Sequence, residues 1–354
     1  MQTTGPTHTH GYAAFSPEAP LAPYAFERRA PRADDVVIEI LYCGVCHSDL
    51  HTARNDWGRS TYPIVPGHEI VGKVIALGSE VSRFSIGQTV AVGCLVDSCG
   101  KCDQCEKDLE NYCRNGWVGT YNGTDLVDGT PTQGGYARHI VVKEAFVLRM
   151  PEGLDIARAA PLLCAGITTW SPLREWGVKA GSRVGVVGLG GLGHMAVKLA
   201  HALGAEVTVL SRSAGKEGDA RALGAAHVLI SSDAAAMEAA AGSFDLIIDT
   251  VPVSHDLNPY LPLLDYDATL VLVGQLGPVA EPDTTPLVFA RRRIAGSLIG
   301  GIAQTQELLD FCGEHAILPE CEMIRMDEIN HAFERMERSD VRYRFVIDMA
   351  TLED

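Results

Sequence analysis

Ten consecutive residues, Tyr42-Cys43-Gly44-Val45-Cys46-His47-Ser48-Asp49-Leu50-His51, carry two thiols, two imidazoles, two hydroxyls and a carboxylate. Cys43 to His47 spells the C-x-x-C-H attachment site of a c-type haem, and its first four residues spell a C-x-x-C redox pair. In a third reading only one of the two cysteines is a metal ligand. The ten residues do not decide among them. A second cluster, Cys99, Cys102, Cys105 and Cys113, is spaced C-x2-C-x2-C-x7-C in a loop rich in Gly, Asp and Lys. Four thiolates without a histidine describe a closed, tetrahedral structural zinc site. Bacterial ferredoxins also begin C-x2-C-x2-C, but their next cysteine follows after three residues and precedes a proline.

A third group concerns a nucleotide. The strand-like run Arg183-Val184-Gly185-Val186-Val187 leads into Gly188-Leu189-Gly190-Gly191-Leu192-Gly193, and a helical stretch follows to Leu203. G-x-G-x-x-G between strand and helix makes a tight turn and lets backbone approach a pyrophosphate, so Gly188, Gly190, Gly191, Leu192 and Gly193 are expected at a dinucleotide. An NAD site places an acid about 20 residues beyond the glycines, on the ribose 2′-OH. Here the next strand, Glu206-Val207-Thr208-Val209-Leu210, ends in Ser211-Arg212-Ser213, with Lys216 close by. Hydroxyls and cations favour a 2′-phosphate, so the expected cofactor is NADP(H).

These groups need elements to position them. Up to about residue 150 the pattern is short β-branched runs broken by Gly and Pro: Val36–Leu41 runs into the opening motif, Ile70–Ala76 follows Gly67-His68-Glu69, and Tyr136–Val142 closes the section. This reads as a small, mostly antiparallel β domain. From about residue 154, runs at 184–188, 206–211, 227–230, 245–250, 269–274 and 294–299 alternate with helical stretches, which predicts a doubly wound parallel sheet in an α/β chain. Beyond Gly301 a helix is expected near Gln304. A second helix carries the stripe Ile329, Ala332, Phe333, Met336, and a strand covers Tyr343–Asp348. These break the alternation and are read as a return to the first domain, giving expected divisions of 1–153, 154–301 and 302–354.

At 354 residues the chain exceeds a single core and suits two domains. The net charge of −16, with Arg291-Arg292-Arg293 the one basic cluster, argues against nucleic acid as a partner. The first residues have no basic start or apolar run, and no stretch of about 18 apolar residues occurs, so no membrane partner is expected and the cytoplasm is the expected compartment. There, ten cysteines are read as thiols or metal ligands rather than disulfides, which weakens the haem reading.

Twenty-two positions beyond Cys46 stands His68, and Cys164 begins Cys164-Ala165-Gly166-Ile167-Thr168. Two thiolates and one imidazole would leave a fourth zinc position open, the arrangement of catalytic sites. Sequence separation does not show that the three meet. In order along nearly the whole chain, however, Tyr42 to His51, Gly67-His68-Glu69, the four-cysteine loop, Thr132-Gln133-Gly134-Gly135-Tyr136, Cys164 to Thr168 and Gly188 to Gly193 resemble the zinc-containing medium-chain alcohol dehydrogenases. Ile294 to Gly301 and Asp340 to Asp348 resemble the cinnamyl alcohol dehydrogenase-like branch with its bacterial aldehyde reductases.

That resemblance implies a GroES-like β-rich catalytic domain, a Rossmann NADP-binding domain, and two zinc ions per chain. Cys46, His68 and Cys164 are implied as catalytic-zinc ligands, with Cys43 a bystander. Glu69 is implied as a carboxylate that approaches the zinc, and Asp49 as a hydrogen-bond partner of a ligand imidazole. Ser48 would start a proton relay and His51 end it at solvent. His47 would contact cofactor phosphate, Thr168 would touch the nicotinamide, and Ser297, Ile299 and Gly300 would border it. Trp57 and Trp117 would form aromatic pocket walls, and the chain would pair as a homodimer through its nucleotide-domain sheet edge. The implied reaction is hydride transfer between NADP(H) and primary alcohols or aldehydes, aromatic or medium-chain. An NAD-preferring alcohol or polyol dehydrogenase of the same fold is the alternative within enzymes, and a non-catalytic zinc-binding module the alternative outside them. Cys94, Cys312 and Cys321 belong to no motif, and packing is their expected role.

Overall fold

The computed structural model describes residues 5–274 and 277–353. They fall into two compact units, one running to Cys164 and resuming at Gly300, the other comprising Ala165–Ile299. The change of texture at residue 154 does not coincide with the first division. The short helix Ile156–Ala159 and the turn Ala160–Leu163 still pack on the strands Asp35–Val45 and Arg344–Asp348.

The first unit is organised on Asp35–Val45. Its buried run Val36, Val37, Ile38 and Ile40 suits a pleated, half-covered surface. It pairs antiparallel with Ile70–Leu77, with His139–Lys143 and, near its end, with Arg344–Asp348. The sheet runs in the order Cys321–Arg325, Arg344–Asp348, Asp35–Val45, Ile70–Leu77, Thr89–Val92, Leu148–Arg149, its first pair parallel and its other pairs antiparallel. The strand expected from Tyr136 begins at His139 instead. Tyr136 and Arg138 donate their N–H groups elsewhere, to Pro66 (2.9 Å) and His10 (3.0 Å). The helix Ile302–His315 starts two residues before Gln304, and Ile329–Glu337 buries the four residues of its stripe.

The second unit holds six parallel strands: Arg183–Val187, Glu206–Ser211, His227–Ile230, Phe244–Asp249, Leu264–Leu272 and Arg293–Gly296. Taken in chain order they lie third, second, first, fourth, fifth, sixth, so the order reverses between Arg183–Val187 and Phe244–Asp249. Val184, Val186, Val207, Val209, Ile247, Ile248, Leu270 and Val271 are buried, the near-continuous apolar content of a parallel sheet covered on both faces. Leu264–Leu272 starts five residues earlier than expected, because Asp265, Tyr266 and Asp267 mask its first half. The last strand stops at Gly296, short of the expected Ile299, which has φ +37°.

Candidate active site

The opening motif spans a strand end and a helix start. Cys46 is the N-cap of the helix His47–Ala53. Its N–H donates to the Asp49 carboxylate (2.9 Å) while Asp49 N–H donates to the Cys46 carbonyl (3.0 Å), a reciprocal cap that fixes the thiol at the turn. Between the two cysteines stands Gly44, where a Cβ would fall 1.9 Å from Glu69 Oε2. The spacing C-G-V-C therefore makes room for a carboxylate. Cys43 is fully buried against Gly67 and Gly135, and burial pushes its thiol well above the ordinary range.

His68 follows Gly67, whose φ of +104° and close neighbours Cys43 and Tyr136 exclude a side chain. The stretch before it is tied down by the T-Q-G-G-Y motif: Gln133 accepts from Val65 N–H (2.6 Å) and donates to the Pro63 carbonyl (3.0 Å). His68 Nδ1 lies 3.1 Å from Asp49 Oδ1, so the carboxylate takes the Nδ1 proton and leaves the Nε2 lone pair free. Asp49 is fully buried, and it also accepts from Gly67 N–H (3.0 Å) and the Tyr136 hydroxyl (3.1 Å). Tyr121 packs its ring on that of His68 at 5.6 Å.

Cys164 caps the turn Ala160–Leu163 and is buried. Its Sγ is 3.8 Å from Cys46 Sγ, and donor atoms of Cys46, His68, Glu69 and Cys164 all lie within 4.8 Å of one another. All four belong to the first unit. Two sulfurs bound to one tetrahedral zinc at about 2.3 Å stand about 3.8 Å apart, whereas disulfide sulfurs stand at about 2.05 Å. The pair thus fits a shared metal and not a redox bond. The hydrogen bond with Cys164 holds the Cys46 thiol well below its ordinary range, aided by Arg344 and His68, and the same bond pushes Cys164 up.

Glu69 is fully buried and paired with Arg344, which is itself 5% exposed. Burial raises the Glu69 carboxyl, to about 8, against the pull of the guanidinium; we take the pair as ionised, because an arginine stays charged in proteins and is in direct contact with Oε1. Glu69 Oε2 has no hydrogen-bond partner, an orphaned acceptor beside the ligand atoms that a cation would satisfy. Sequence reasoning missed this role of Arg344, 275 positions away, and also that of Tyr121. It also expected packing at Cys94. This half-buried thiol hydrogen-bonds the Leu163 carbonyl (3.6 Å) and the Cys164 sulfur, and no ligand spacing marks it.

Ser48 and His51 stand three apart on the helix His47–Ala53, hence on one side of it. His51 Nδ1 is 2.7 Å from Asp56 Oδ2, and its side chain is 34% exposed. Trp57 is half-buried with its ring 5.5 Å from that of His51, whereas Trp117 is exposed. His47 is exposed beside Cys46.

The sulfurs of the second cluster lie 3.6 Å apart for Cys102 and Cys105, and 4.0 Å for Cys99 and Cys105 and for Cys102 and Cys113. Donor atoms of all four lie within 4.8 Å, the edge lengths of one zinc tetrahedron. Gly100 at φ +66° and Asp108 at φ +59° turn the loop around them, and Arg114 N–H donates to Cys102 Sγ (3.5 Å).

In the second unit the glycine turn leads into the helix Gly193–Ala202, with Leu192 as its N-cap. A Cβ on Gly193 would meet the Gly188 carbonyl at 2.2 Å, and Gly190 has nothing within 4 Å, the close helix–strand packing and open backbone of a pyrophosphate site; Gly191 lies between them. Ser211 is buried, its Oγ donating to the Ser213 carbonyl (2.9 Å). Arg212, Ser213 and Lys216 are exposed, and Lys216 Nζ donates to the Leu189 carbonyl (3.1 Å) across the glycine turn. Thr168 is buried in the helix Ala165–Glu175. Ser297 N–H donates to the Leu272 carbonyl (3.1 Å), and Ile299 and Gly300 follow where the two units divide.

Residues 32–152 match the model of the alcohol dehydrogenase GroES-like domain, and residues 191–314 that of the zinc-binding dehydrogenases. NADP-dependent alcohol dehydrogenase C 1 of Mycolicibacterium smegmatis is 54% identical over 96% of this chain and 98% of its own length. Aldehyde reductase YahK of Escherichia coli is 52% identical over 96% and 98%. Among solved structures, a cinnamyl alcohol dehydrogenase of Sorghum bicolor aligns with TM-score 0.94 at 46% identity, covering 98% of this chain and 99% of that one. A cinnamyl alcohol dehydrogenase of Helicobacter pylori complexed with NADP(H) gives 0.90 at 39%, covering 98% and 100%. No described helix is long and apolar enough to cross a membrane.

Proposed function

Because the chain belongs to the zinc-binding alcohol dehydrogenases with a GroES-like domain, we infer that it interconverts aldehydes and primary alcohols with NADP(H), working chiefly as an aldehyde reductase. In the reducing direction, aldehyde, NADPH and one proton give alcohol and NADP+. The observation that carries this reading is the convergence of Cys46, His68 and Cys164, with Glu69, on one point. Bound zinc supplies a Lewis acid that polarises the aldehyde oxygen or acidifies the alcohol, and bound NADPH supplies the hydride.

This chain's residues hold, orient and move protons. Cys46, His68 and Cys164 form the metal-holding set, and Asp49 keeps His68 in the tautomer that offers Nε2. Arg344 holds Glu69 by its Oε1, which would leave Oε2 turned toward a bound ion. Ser48 and His51 provide the proton path. Asp56 orients His51, and the partial exposure of His51 supports exchange with water. We expect His51→Gln to lower kcat for alcohol oxidation at least about tenfold, with added imidazole restoring part of it and zinc content unchanged; steady-state rates with and without imidazole check this.

Four-cysteine zinc binding by Cys99, Cys102, Cys105 and Cys113 is read as structural, since four protein ligands leave no open position. Ser211, Arg212, Ser213 and Lys216 are read as the group that accepts a 2′-phosphate, with the glycines of 188–193 on the pyrophosphate, His47 on a phosphate, and Thr168, Ser297, Ile299 and Gly300 at the nicotinamide. Ser211→Asp should lower kcat/KM with NADPH about a hundredfold and raise it with NADH, because the carboxylate repels the phosphate and accepts from a ribose hydroxyl; paired initial rates with the two cofactors decide it. Trp57 and Trp117 support flat aromatic aldehydes as substrates. The exposed Val288 (74%) and Phe289 (82%), near the open edge strand Arg293–Gly296, support homodimerisation through that edge. The cytoplasm is the compartment that fits ten cysteines read as thiols and metal ligands. A panel of aliphatic and aromatic aldehydes with NADPH and NADH tests the function; a clear NADH preference would overturn the cofactor assignment.

A further inference from the structure

We propose that Asp249 and His255 form a side-chain latch that positions the dinucleotide by holding the segment between them against the glycine turn. This deepens the cofactor reading above and rests on it. Asp249 ends the strand Phe244–Asp249, which lies beside Arg183–Val187 where the strand order reverses. The crevice outside the carboxyl ends of the strands at such a reversal is where ligands of doubly wound sheets bind.

The segment after Asp249 forms a wall of that crevice. Thr250 Oγ1 donates to the carbonyl of Val187 (2.7 Å), the last residue before Gly188. A Cβ added to Gly188 or Gly193 would come within 3.1 or 3.2 Å of the same hydroxyl, and one added to Gly274 would meet the Thr250 backbone at 2.4 Å. Thr250 therefore sits on the glycines themselves. What holds the segment is a contact between a buried carboxylate and a half-buried imidazole. Asp249 is 2% exposed, and its Oδ1 accepts from Val251 N–H (3.0 Å) while its Oδ2 lies 2.8 Å from His255 Nε2. His255 Nδ1 is 2.9 Å from the Val253 carbonyl. The ring thus spans the segment, Nδ1 on the Val253 carbonyl and Nε2 in close contact with the buried carboxylate. Tyr260 packs edge-on to His255 at 6.1 Å, Asp256 is the next residue along the chain, and Arg212 and Asp256 act on Tyr260 from the sides.

The metal chemistry and proton path use neither Asp249 nor His255. A segment fixed before binding spares the dinucleotide the cost of ordering it, so the pair acts on affinity through the backbone it positions. Without His255 the buried carboxylate is left alone, and the segment loosens at its Val251 and Val253 contacts.

The test is equilibrium binding of NADPH to the zinc-loaded full chain, read from nicotinamide fluorescence, together with kcat and thermal midpoint. We expect His255→Ala to raise Kd about tenfold, with kcat at saturating NADPH within about twofold of the parent and both zinc ions retained. His255→Gln, which keeps a polar group within reach of Asp249, should fall between. Asp249→Asn combined with His255→Ala should bind no more weakly than His255→Ala, since one interaction is removed once. A Kd within about twofold of the parent for both single variants, even with a lowered thermal midpoint, would overturn the proposal and leave the pair purely structural. Binding by the double variant well below that of His255→Ala would overturn it as well. Failure of the parent to bind NADPH would instead refute the cofactor reading.

Discussion

Cys46→Ser is expected to leave one zinc ion per chain where the parent holds two, and to lower kcat/KM for NADPH-dependent aldehyde reduction by at least about a thousandfold. The size follows from the chemistry: a Lewis acid at the reacting oxygen contributes several kcal/mol, and each 1.36 kcal/mol is about tenfold in rate. Selectivity for one ion follows from the geometry. Cys46, His68, Glu69 and Cys164 form one group, Cys99, Cys102, Cys105 and Cys113 the other, and no residue is shared. The fold should persist, because the Cys46 backbone and the Asp49 carboxylate hold the turn and serine keeps a side-chain acceptor at the N-cap. Metal analysis, far-ultraviolet circular dichroism and NADPH binding on the same sample check the three parts. Loss of both ions, or of neither, would contradict the assignment of two separate centres.

The second large effect is expected at Arg344. Replacing it with methionine removes the guanidinium that contacts Glu69 and leaves a fully buried carboxylate unpaired beside the proposed ligands. Breaking a buried pair from one side costs about 3–5 kcal/mol, so the urea midpoint of the first unit should fall accordingly. Activity should fall too, because Glu69 loses the partner that fixes it beside the metal-holding residues. The companion variant Glu69→Gln/Arg344→Met, with neither charge, should recover most of the stability. If Arg344→Met unfolds at the parent's midpoint, the pair contributes nothing and its buried placement is without energetic consequence.

Much of the chemistry was legible because it is local in sequence. The four cysteines of 99–113 close on one another through a short loop, and Gly188 to Gly193 follow a strand and precede a helix, so spacing alone carries both. The β-branched runs announced the central strands for the same reason, since alternation and burial are properties of neighbours. What stayed hidden depends on residues brought together from afar. Periodicity does not reveal that Gly44 is a glycine because Glu69 lies against it, or that Arg344 reaches Glu69. Family likeness, not residue chemistry, chose Cys46 over Cys43. The structure adds a physical reason: one sulfur stands 3.8 Å from Cys164, the other is sealed among Gly67, Gly135 and Tyr136. The strand Leu264–Leu272 was only half legible because its pairing shifts register between Leu264 and Thr269, where Asp267 takes a φ of +62°.

The most direct test of the account is the rate of NADPH oxidation with cinnamaldehyde, measured on the protein as purified, after complete removal of metal by a chelator, and after return of zinc. The account predicts turnover in the ordinary enzymatic range of about 1–1,000 per second, none without metal, and recovery with zinc. Turnover that survives complete loss of metal would contradict it.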